Sequence, residues 1–496
     1  MSQSLMDRLM RTKSADSEVG DGHGGHGNGE LSRSLGLFSL VMLGVGATIG
    51  TGIFFAMGEA VPKAGPAVVY SFMIAGLAAA LTALCYAELA SSIPASGSAY
   101  SYTYVTIGEF LAYIVGACLL LEYALAASAT SIGWSEYLNN LLSHFGMSIP
   151  EHLRSPLIVK TESNGVEMNW GHFNLPPIIL VCMCCVLLLR GSKESATVNA
   201  IMVLIKIGIL VFFAAVAFTA FNVEHFTPFN PYGMVSSIPA SDGGMREVGI
   251  LAAAGTIFFS FIGLDTVATA GAEVKNPKRN VPLGIIFSLL IVVAAYIAVA
   301  VAAMGAQPAS EFDGQEAGLA AILEKVVGAS WPGTLLSIGA VISVFSVTLV
   351  VIYGQTRILF AIARDGLIPS SFKKVNPKTL VPVNNTLIVC LFVGLIGGFV
   401  DSNFLWDMVS MGTLVAFSLV SIGVTIMRYK APDLERGFKL PFGPWVIPML
   451  SVAACAWIMY GLGLETYIVF AVWIGLAVLG YFLYGIHHSN LAKKGN

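Results

Sequence analysis

Eight stretches of 20 or more residues pass without a single Asp, Glu, Lys or Arg: Ser34 to Gly58, Ala64 to Ala87, Asn280 to Ser310, Val326 to Thr356, Thr379 to Val400, Met408 to Met427, Leu440 to Leu464 and Thr466 to Ala492. The hydrocarbon core of a bilayer, about 30 Å thick, is crossed by about 20 apolar residues in a helix. A water-soluble chain cannot carry so many such runs without leaving apolar surface uncovered. The charged fraction agrees: 11% of the 496 residues are charged, against about 25% in soluble proteins. The chain has lipid as its solvent, and helices are expected because they satisfy their backbone polar groups internally.

Four further segments are apolar but short or interrupted. Gly108 to Tyr137 carries Glu109, Glu122 and Glu136, Asn174 to Leu189 is short, Ala196 to Asn222 contains Lys206, and Val248 to Ala272 contains Asp265. One crossing for each segment gives twelve transmembrane helices, which puts both termini on one side. Lys and Arg collect on cytoplasmic loops and so test the count. With the N-terminus cytoplasmic, nineteen of the 26 lie on that side. Five (Lys63, Arg154, Lys160, Arg246 and Lys325) lie on the other, and Lys206 and Arg357 fall inside spans. A miscounted helix would scramble that bias. The expectation is an all-α integral protein of the cytoplasmic (inner) membrane, multi-pass, with both termini cytoplasmic.

A net charge of −3 leaves no basic excess for nucleic-acid phosphates. The seven cysteines are odd in number and lie in apolar stretches, so no disulfide framework follows. Cys182, Cys184 and Cys185 read as core residues rather than metal ligands, because no His or carboxylate accompanies them in the run. No P-loop, nucleophile elbow or His-x-Glu metal motif is present, which sets aside enzymes and self-contained ATP-driven pumps. No metal or cofactor is expected. Residues Met1 to Glu30 are polar, lack the apolar core of a cleavable signal peptide and read as a disordered tail, with His23 and His26 solvated. The hydrophilic segment Leu141 to Phe173 is expected outside, packed over helix ends.

The first span contains Gly44, Gly46, Gly50 and Gly52, a density that weakens a helix at its centre. A dinucleotide loop would need glycine where Ile49 stands. Close packing through Gly46 and Gly50 is the plain alternative, but it would not by itself need four glycines and two threonines. A second interruption, Phe258-Phe259-Ser260-Phe261-Ile262-Gly263-Leu264-Asp265, places a glycine and a carboxylate at mid-membrane depth in the sixth span. Interruptions at corresponding places in two five-helix halves point to inverted repeats with a midplane site. Half-helix N-termini offer N–H groups to an anion and exposed carbonyls accept from a cation, so a zwitterion suits such a site.

These residues carry a resemblance. Gly-Ala-Thr-Ile-Gly-Thr-Gly-Ile-Phe from Gly46, Cys-Tyr-Ala-Glu-Leu-Ala from Cys85, Leu-Glu-Tyr-Ala-Leu-Ala from Leu121, Glu-Val-Lys-Asn-Pro from Glu273 and Ala-Arg-Asp-Gly-Leu-Ile-Pro from Ala363 resemble the amino acid/polyamine/organocation superfamily, and within it the cationic amino acid transporter family. The resemblance implies a LeuT-type 5+5 inverted repeat plus two C-terminal helices. Residues 34–222 would form the first repeat, 246–428 the second and 440–486 the last two helices, between cytoplasmic tails 1–33 and 487–496. It implies a secondary transporter importing L-amino acids by alternating access, with helices 1, 2, 6 and 7 rocking against a scaffold. The substrate carboxylate would meet the N–H groups of Gly50, Thr51 and Gly52 and the Thr51 hydroxyl, in the turn that also holds Ile49. The amino group would meet the carbonyls of Thr48, Phe259 and Ile262, and the Phe259 ring would cover the substrate.

The buried charges are weighed one by one. Glu88 and Glu273 read as ion-pair partners at the inner gate, and Arg357 as snorkelling to, or pairing at, the cytoplasmic surface. Glu122, ahead of Asp407, is the candidate to face a substrate side chain, with a static ion pair to Lys206 as the alternative. Asp265 divides evenly between capping the second half-helix and touching substrate. No histidine falls within a span, so a histidine proton relay is not expected. Family members place a helix-five lysine where sodium-coupled relatives bind sodium, which here sets Lys206 against the carbonyls of Gly46 and Ile49. Proton coupling without sodium follows as the expectation. An exchanger or uniporter, or a nutrient sensor that kept the fold, stand as alternatives. The partners implied are an amino acid and the lipid bilayer, and nothing in the sequence sets an oligomeric state.

Overall fold

Apolar sequence becomes helix nearly throughout. The computed structural model describes residues 5–13, 34–93, 97–160, 166–239, 245–312, 315, 318–402, 405–460, 462 and 464–494. In chain order the helices are α1 (Leu5–Leu9), α2 (Leu37–Thr48), α3 (Thr51–Ala64), α4 (Val68–Ser92), α5 (Ala99–Thr106), α6 (Glu109–Ser143), α7 (Leu175–Arg190), α8 (Ser192–Ala217), α9 (Ile250–Phe258), α10 (Thr266–Thr269), α11 (Pro277–Ala306), α12 (Gly318–Val327), α13 (Trp331–Arg364), α14 (Val383–Phe399), α15 (Trp406–Lys430), α16 (Val446–Tyr460) and α17 (Leu464–Gly480). Prolines in the first turn of α7, α11 and α13 set the helical φ where no N–H partner is needed.

Among the described residues nine helical stretches are long and apolar enough to cross a membrane. The shorter apolar helices α7, α14 and α16 have 16, 17 and 15 residues. At the helical rise these three reach only about 23–26 Å. Each of the twelve apolar segments of the sequence contains a helix, and length separates nine from three.

Two spans are interrupted. Ile49 and Gly50 separate α2 from α3, and a 3₁₀ turn (Phe259–Phe261) followed by extended Ile262 and a turn through Gly263 separates α9 from α10. The entry to the first broken span and the exit from the second are joined by a parallel bridge. There Leu35 N–H donates to the Glu273 carbonyl (3.0 Å) and Lys275 N–H to the Leu35 carbonyl (2.8 Å). Around the breaks, α11 packs along α2 and α4, while α6 packs along α13 and α15. The stretch from Leu37 to Phe54 is almost wholly enclosed, whereas α17 turns most of its surface outward. Two antiparallel hairpins lie in the connecting segments, Ile158–Lys160 with Val166–Met168 and Ser236–Pro239 with Met245–Val248. The first also touches the end of α14 through Ile158 and Val400, so part of the hydrophilic segment after α6 does pack on a helix end.

The N-terminal tail differs from expectation. Residues 5–13 fold against the body of the protein: α1 is helical, Glu109 N–H donates to the Arg11 carbonyl (2.8 Å), and Lys13 Nζ pairs with Asp365 (2.8 Å). The cause is local. Gly108 precedes α6 and has no side chain to cap it, so a first-turn N–H finds its acceptor in the tail. His23 and His26 lie outside the described residues.

Candidate functional site

The two breaks touch. A Cβ on Gly52 would lie 2.5 Å from both Cα and Cβ of Ser260, so only glycine lets α3 approach the second break this closely. The other three glycines of the first span are likewise packed against neighbours. A Cβ would meet Ser288 Oγ at 2.5 Å from Gly44, the Asn199 amide at 2.6 Å from Gly46, and Val347 Cγ2 at 2.1 Å from Gly50. Close packing therefore accounts for all four glycines, against the expectation that two would suffice. The break itself remains: Ile49 is extended, Gly50 adopts an extended φ, and α3 starts at Thr51. The N–H groups of Thr51, Gly52 and Ile53 consequently lack intrahelical acceptors. The Thr51 side chain lies outside the described residues, as does that of Asp407.

In the second break Gly263 has φ +103°, and a Cβ there would meet the Ala47 Cβ at 2.8 Å and the Ala47 carbonyl oxygen at 2.9 Å. Glycine is required on both counts. The Phe259 carbonyl accepts from Ile262 N–H (3.2 Å), whereas the Ile262 carbonyl receives no backbone N–H among the described residues. Phe259 is half-buried beside Ser260. The Thr48 carbonyl already has a partner, because Tyr296 Oη on α11 donates to it at 2.7 Å and also lies 2.9 Å from the Ser260 carbonyl.

Lys206 is fully buried on α8, its ammonium 2.5 Å from the Ile49 carbonyl and 3.1 Å from that of Gly46. Among the described residues it forms no ion pair with Glu122. Two turns earlier on the same face, Asn199 donates to the Met42 carbonyl (3.0 Å) and accepts from Ser346 Oγ (2.6 Å). Glu122 is fully buried on α6, and neither carboxylate oxygen has a hydrogen-bond partner among the described residues. Across from it on α15, Thr413 gives its hydroxyl proton to the Val409 carbonyl instead. Among the described residues Glu122 makes no hydrogen bond to either break.

Asp265 occupies the N-cap position of α10 without capping it. Its Oδ2 is held instead by Tyr123 Oη (2.7 Å) and approached by Ser98 Oγ (3.5 Å), while Oδ1 is unpartnered among the described residues. The hydroxyl of α6 outcompetes the backbone N–H, so of the two roles the sequence left even, the capping one is not seen. At Glu88 and Glu273 ion pairs form as expected, Glu88 with the loop residue Arg436 (3.4 Å) as well as a helix-borne arginine, Glu273 with a helix-borne one. Arg428 grips Glu88 at 2.6 and 2.7 Å. Arg357 does not snorkel: it is buried, donates to Glu273 at 2.9 Å and stacks over the Tyr353 ring.

Sequence reading missed Tyr296, Asn199 and Tyr123. Asn199 had a signal, since seven residues before Lys206 on a helix is the same face. Tyr123 adjoins Glu122 in a motif already singled out. Tyr296 had none, being one tyrosine in an uncharged run.

A family model described as amino acid permease matches residues 35–484. The chain is 41% identical to the branched-chain amino acid permease BcaP of Bacillus subtilis, over 94% of this chain and 96% of that one. It is 39% identical to the methylthioribose transporter of the same organism, over 93% and 95% of the two. It is 36% identical to cationic amino acid transporter 3, mitochondrial, of Arabidopsis thaliana, over 86% of this chain and 67% of the relative.

Proposed function

Since the chain belongs to the amino acid permease family, within the amino acid/polyamine/organocation superfamily and related to its cationic amino acid transporters, we propose that it imports L-amino acids across the cytoplasmic membrane by proton-coupled symport with alternating access. The observation that carries this reading is the pair of broken spans in contact at Gly52 and Ser260, with a buried ammonium on the carbonyls of the first break. In this reading the twelve apolar segments all cross, the two five-helix halves are inverted repeats, and both termini are cytoplasmic, in line with the Lys and Arg bias. The free N–H groups of Gly50 to Gly52 receive the substrate carboxylate, and the break carbonyls receive its ammonium. Phe259 closes over the bound molecule.

A lysine ammonium at mid-membrane costs a few kcal/mol or more unless something receives it. Here two carbonyls do, in the geometry a small cation would take, which supports a transporter that needs no sodium. Loss of the Lys206 proton when the site opens inward would release substrate and proton together. Glu122, buried and without a hydrogen-bond partner among the described residues, is the group we assign to meet a substrate side chain.

Thermal-shift screening of the purified protein against the twenty L-amino acids and methylthioribose identifies the substrate, since a ligand raises the melting temperature by mass action. Uptake into proteoliposomes under imposed gradients then tests coupling. Accumulation driven by an inward proton gradient at zero sodium is expected; stimulation by an inward sodium gradient at fixed pH would reject proton coupling.

A further inference from the structure

We propose that Tyr296 is a positioning residue for the substrate ammonium, holding one carbonyl of each helix break in register through a single shared proton. The proposal rests on the reading that the amino group is received by the break carbonyls, and names the residue that sets them.

The phenol is fully buried, and its oxygen stands 2.7 Å from the Thr48 carbonyl and 2.9 Å from the Ser260 carbonyl. A phenol has one hydrogen to give, so at any moment it satisfies one carbonyl and leaves the other facing a lone pair. The ring cannot withdraw to relieve this. Phe261 packs edge-on at 5.3 Å and Phe72 at 6.0 Å, so α4 and the second break clamp it from two sides. A buried acceptor short of a donor is costly, and here the shortage is built between the two backbones that define the site.

An ammonium carries three donors. Arriving at the Thr48 carbonyl, it supplies the missing hydrogen bond and leaves the Tyr296 proton wholly to Ser260. A substrate hydroxyl in place of the amino group brings one donor and no charge, and meets a weaker welcome. By holding the two carbonyls together, Tyr296 presents them jointly to an α-amino group while itself standing on α11, and without its hydroxyl they are free to turn apart. Because it bonds α2 and the second break at once and is packed by α4, it also keeps these elements in fixed relation when the bundle moves.

The test uses purified full-length protein with L-leucine and L-arginine, each beside the α-hydroxy acid of the same side chain, in wild type and Tyr296→Phe. The phenylalanine retains both ring contacts and removes only the hydroxyl. The wild type is expected to prefer the amino acids. Y296F is expected to lose about tenfold of that preference, with a raised KM, a nearly unchanged maximal rate and an unchanged preference for the free acid over the amino acid amide. Phe72→Leu, which loosens the ring without touching its hydroxyl, is expected to show a smaller shift in the same direction and serves as the second variant should Y296F fail to fold. Binding of the hydroxy acids as tightly as the amino acids by wild type, or no binding of either amino acid, would remove the underlying reading and the proposal with it. A wild-type preference retained in full by either variant would overturn the role of Tyr296 alone.

Discussion

Gly52 meets Ser260 across the two helix breaks with no room for a methyl group, a Cβ on the glycine falling 2.5 Å from the serine Cα. The two half-helix junctions are thus one packed unit rather than two gaps that happen to face each other.

Gly52→Ala should therefore destabilise the protein by about 1–3 kcal/mol, as overpacking against a backbone does, and abolish uptake by prising the breaks apart. Gly255, in α9, has open space where its Cβ would stand, so Gly255→Ala should leave melting temperature and uptake near wild type. If G52A and G255A melt and transport alike, the breaks are not held by this contact.

Phe259 is half-buried beside that junction. Its truncation to alanine should raise KM about tenfold through lost contact area, with expression close to normal. Equal KM values for wild type and F259A across all substrates would leave it no gating role.

Glu122 is a buried carboxylate with no hydrogen-bond partner for either oxygen among the described residues. An amide has nearly the same shape and cannot carry a charge whose burial is costly, so Glu122→Gln should melt no lower than wild type. It should also lose any thermal shift with L-arginine more than that with L-leucine. An E122Q protein that melts lower and binds both equally would mean that the carboxylate is partnered and does not face the substrate.

Arg357 and Glu273 form the opposite case, a buried ion pair in which the guanidinium and the Tyr353 hydroxyl both donate to Glu273 Oε1. Removing one partner strands a charge, so Arg357→Met alone should cost about 3–5 kcal/mol, and Arg357→Met with Glu273→Gln distinctly less. A thermal-unfolding cycle measures the difference, and strict additivity would show that the two side chains do not depend on each other.

How much of this was written in the sequence follows from what each residue does alone. Glycine clusters and an acid inside apolar runs are anomalies at single positions, so the breaks and Asp265 could be found without a fold. What Asp265 does could not, because Tyr123 reaches it from a helix 142 positions away in sequence. The same holds for the glycines: their number looked excessive until Ser288, Asn199, Val347 and Ser260, from four other segments, filled the space beside them. Tyr296 shows the limit, since nothing in an uncharged run distinguishes a tyrosine that bridges two backbones from one that fills the core. The tail went wrong for a different reason. Its composition reads as solvated, but the acceptor it supplies to α6 is a backbone carbonyl, which composition cannot reveal.

Lys206 and Asn199 both tie α8 to α2, two turns apart, and their substitution separates a structural tie from energy coupling. Asn199→Ala removes the hydrogen bond to the Met42 carbonyl and the partner of Ser346 but leaves the ammonium in place. It should lower the melting temperature, by about 1–2 kcal/mol for buried hydrogen bonds, and keep proton-driven accumulation in the protein that remains folded. Lys206→Met keeps a side chain of similar length and removes the ammonium that, among the described residues, is the one charge hydrogen-bonded to the first break. The Gly46 carbonyl then loses its side-chain donor and that of Ile49 keeps only the Ser343 hydroxyl at 3.4 Å, and among the described residues no titrating group is left bonded there to load on one side and release on the other. K206M should exchange internal for external substrate at a measurable rate yet fail to concentrate it on a pH gradient. Accumulation by K206M at wild-type levels would reduce Lys206 to a fixed tie like Asn199 and move the coupling proton elsewhere in the protein.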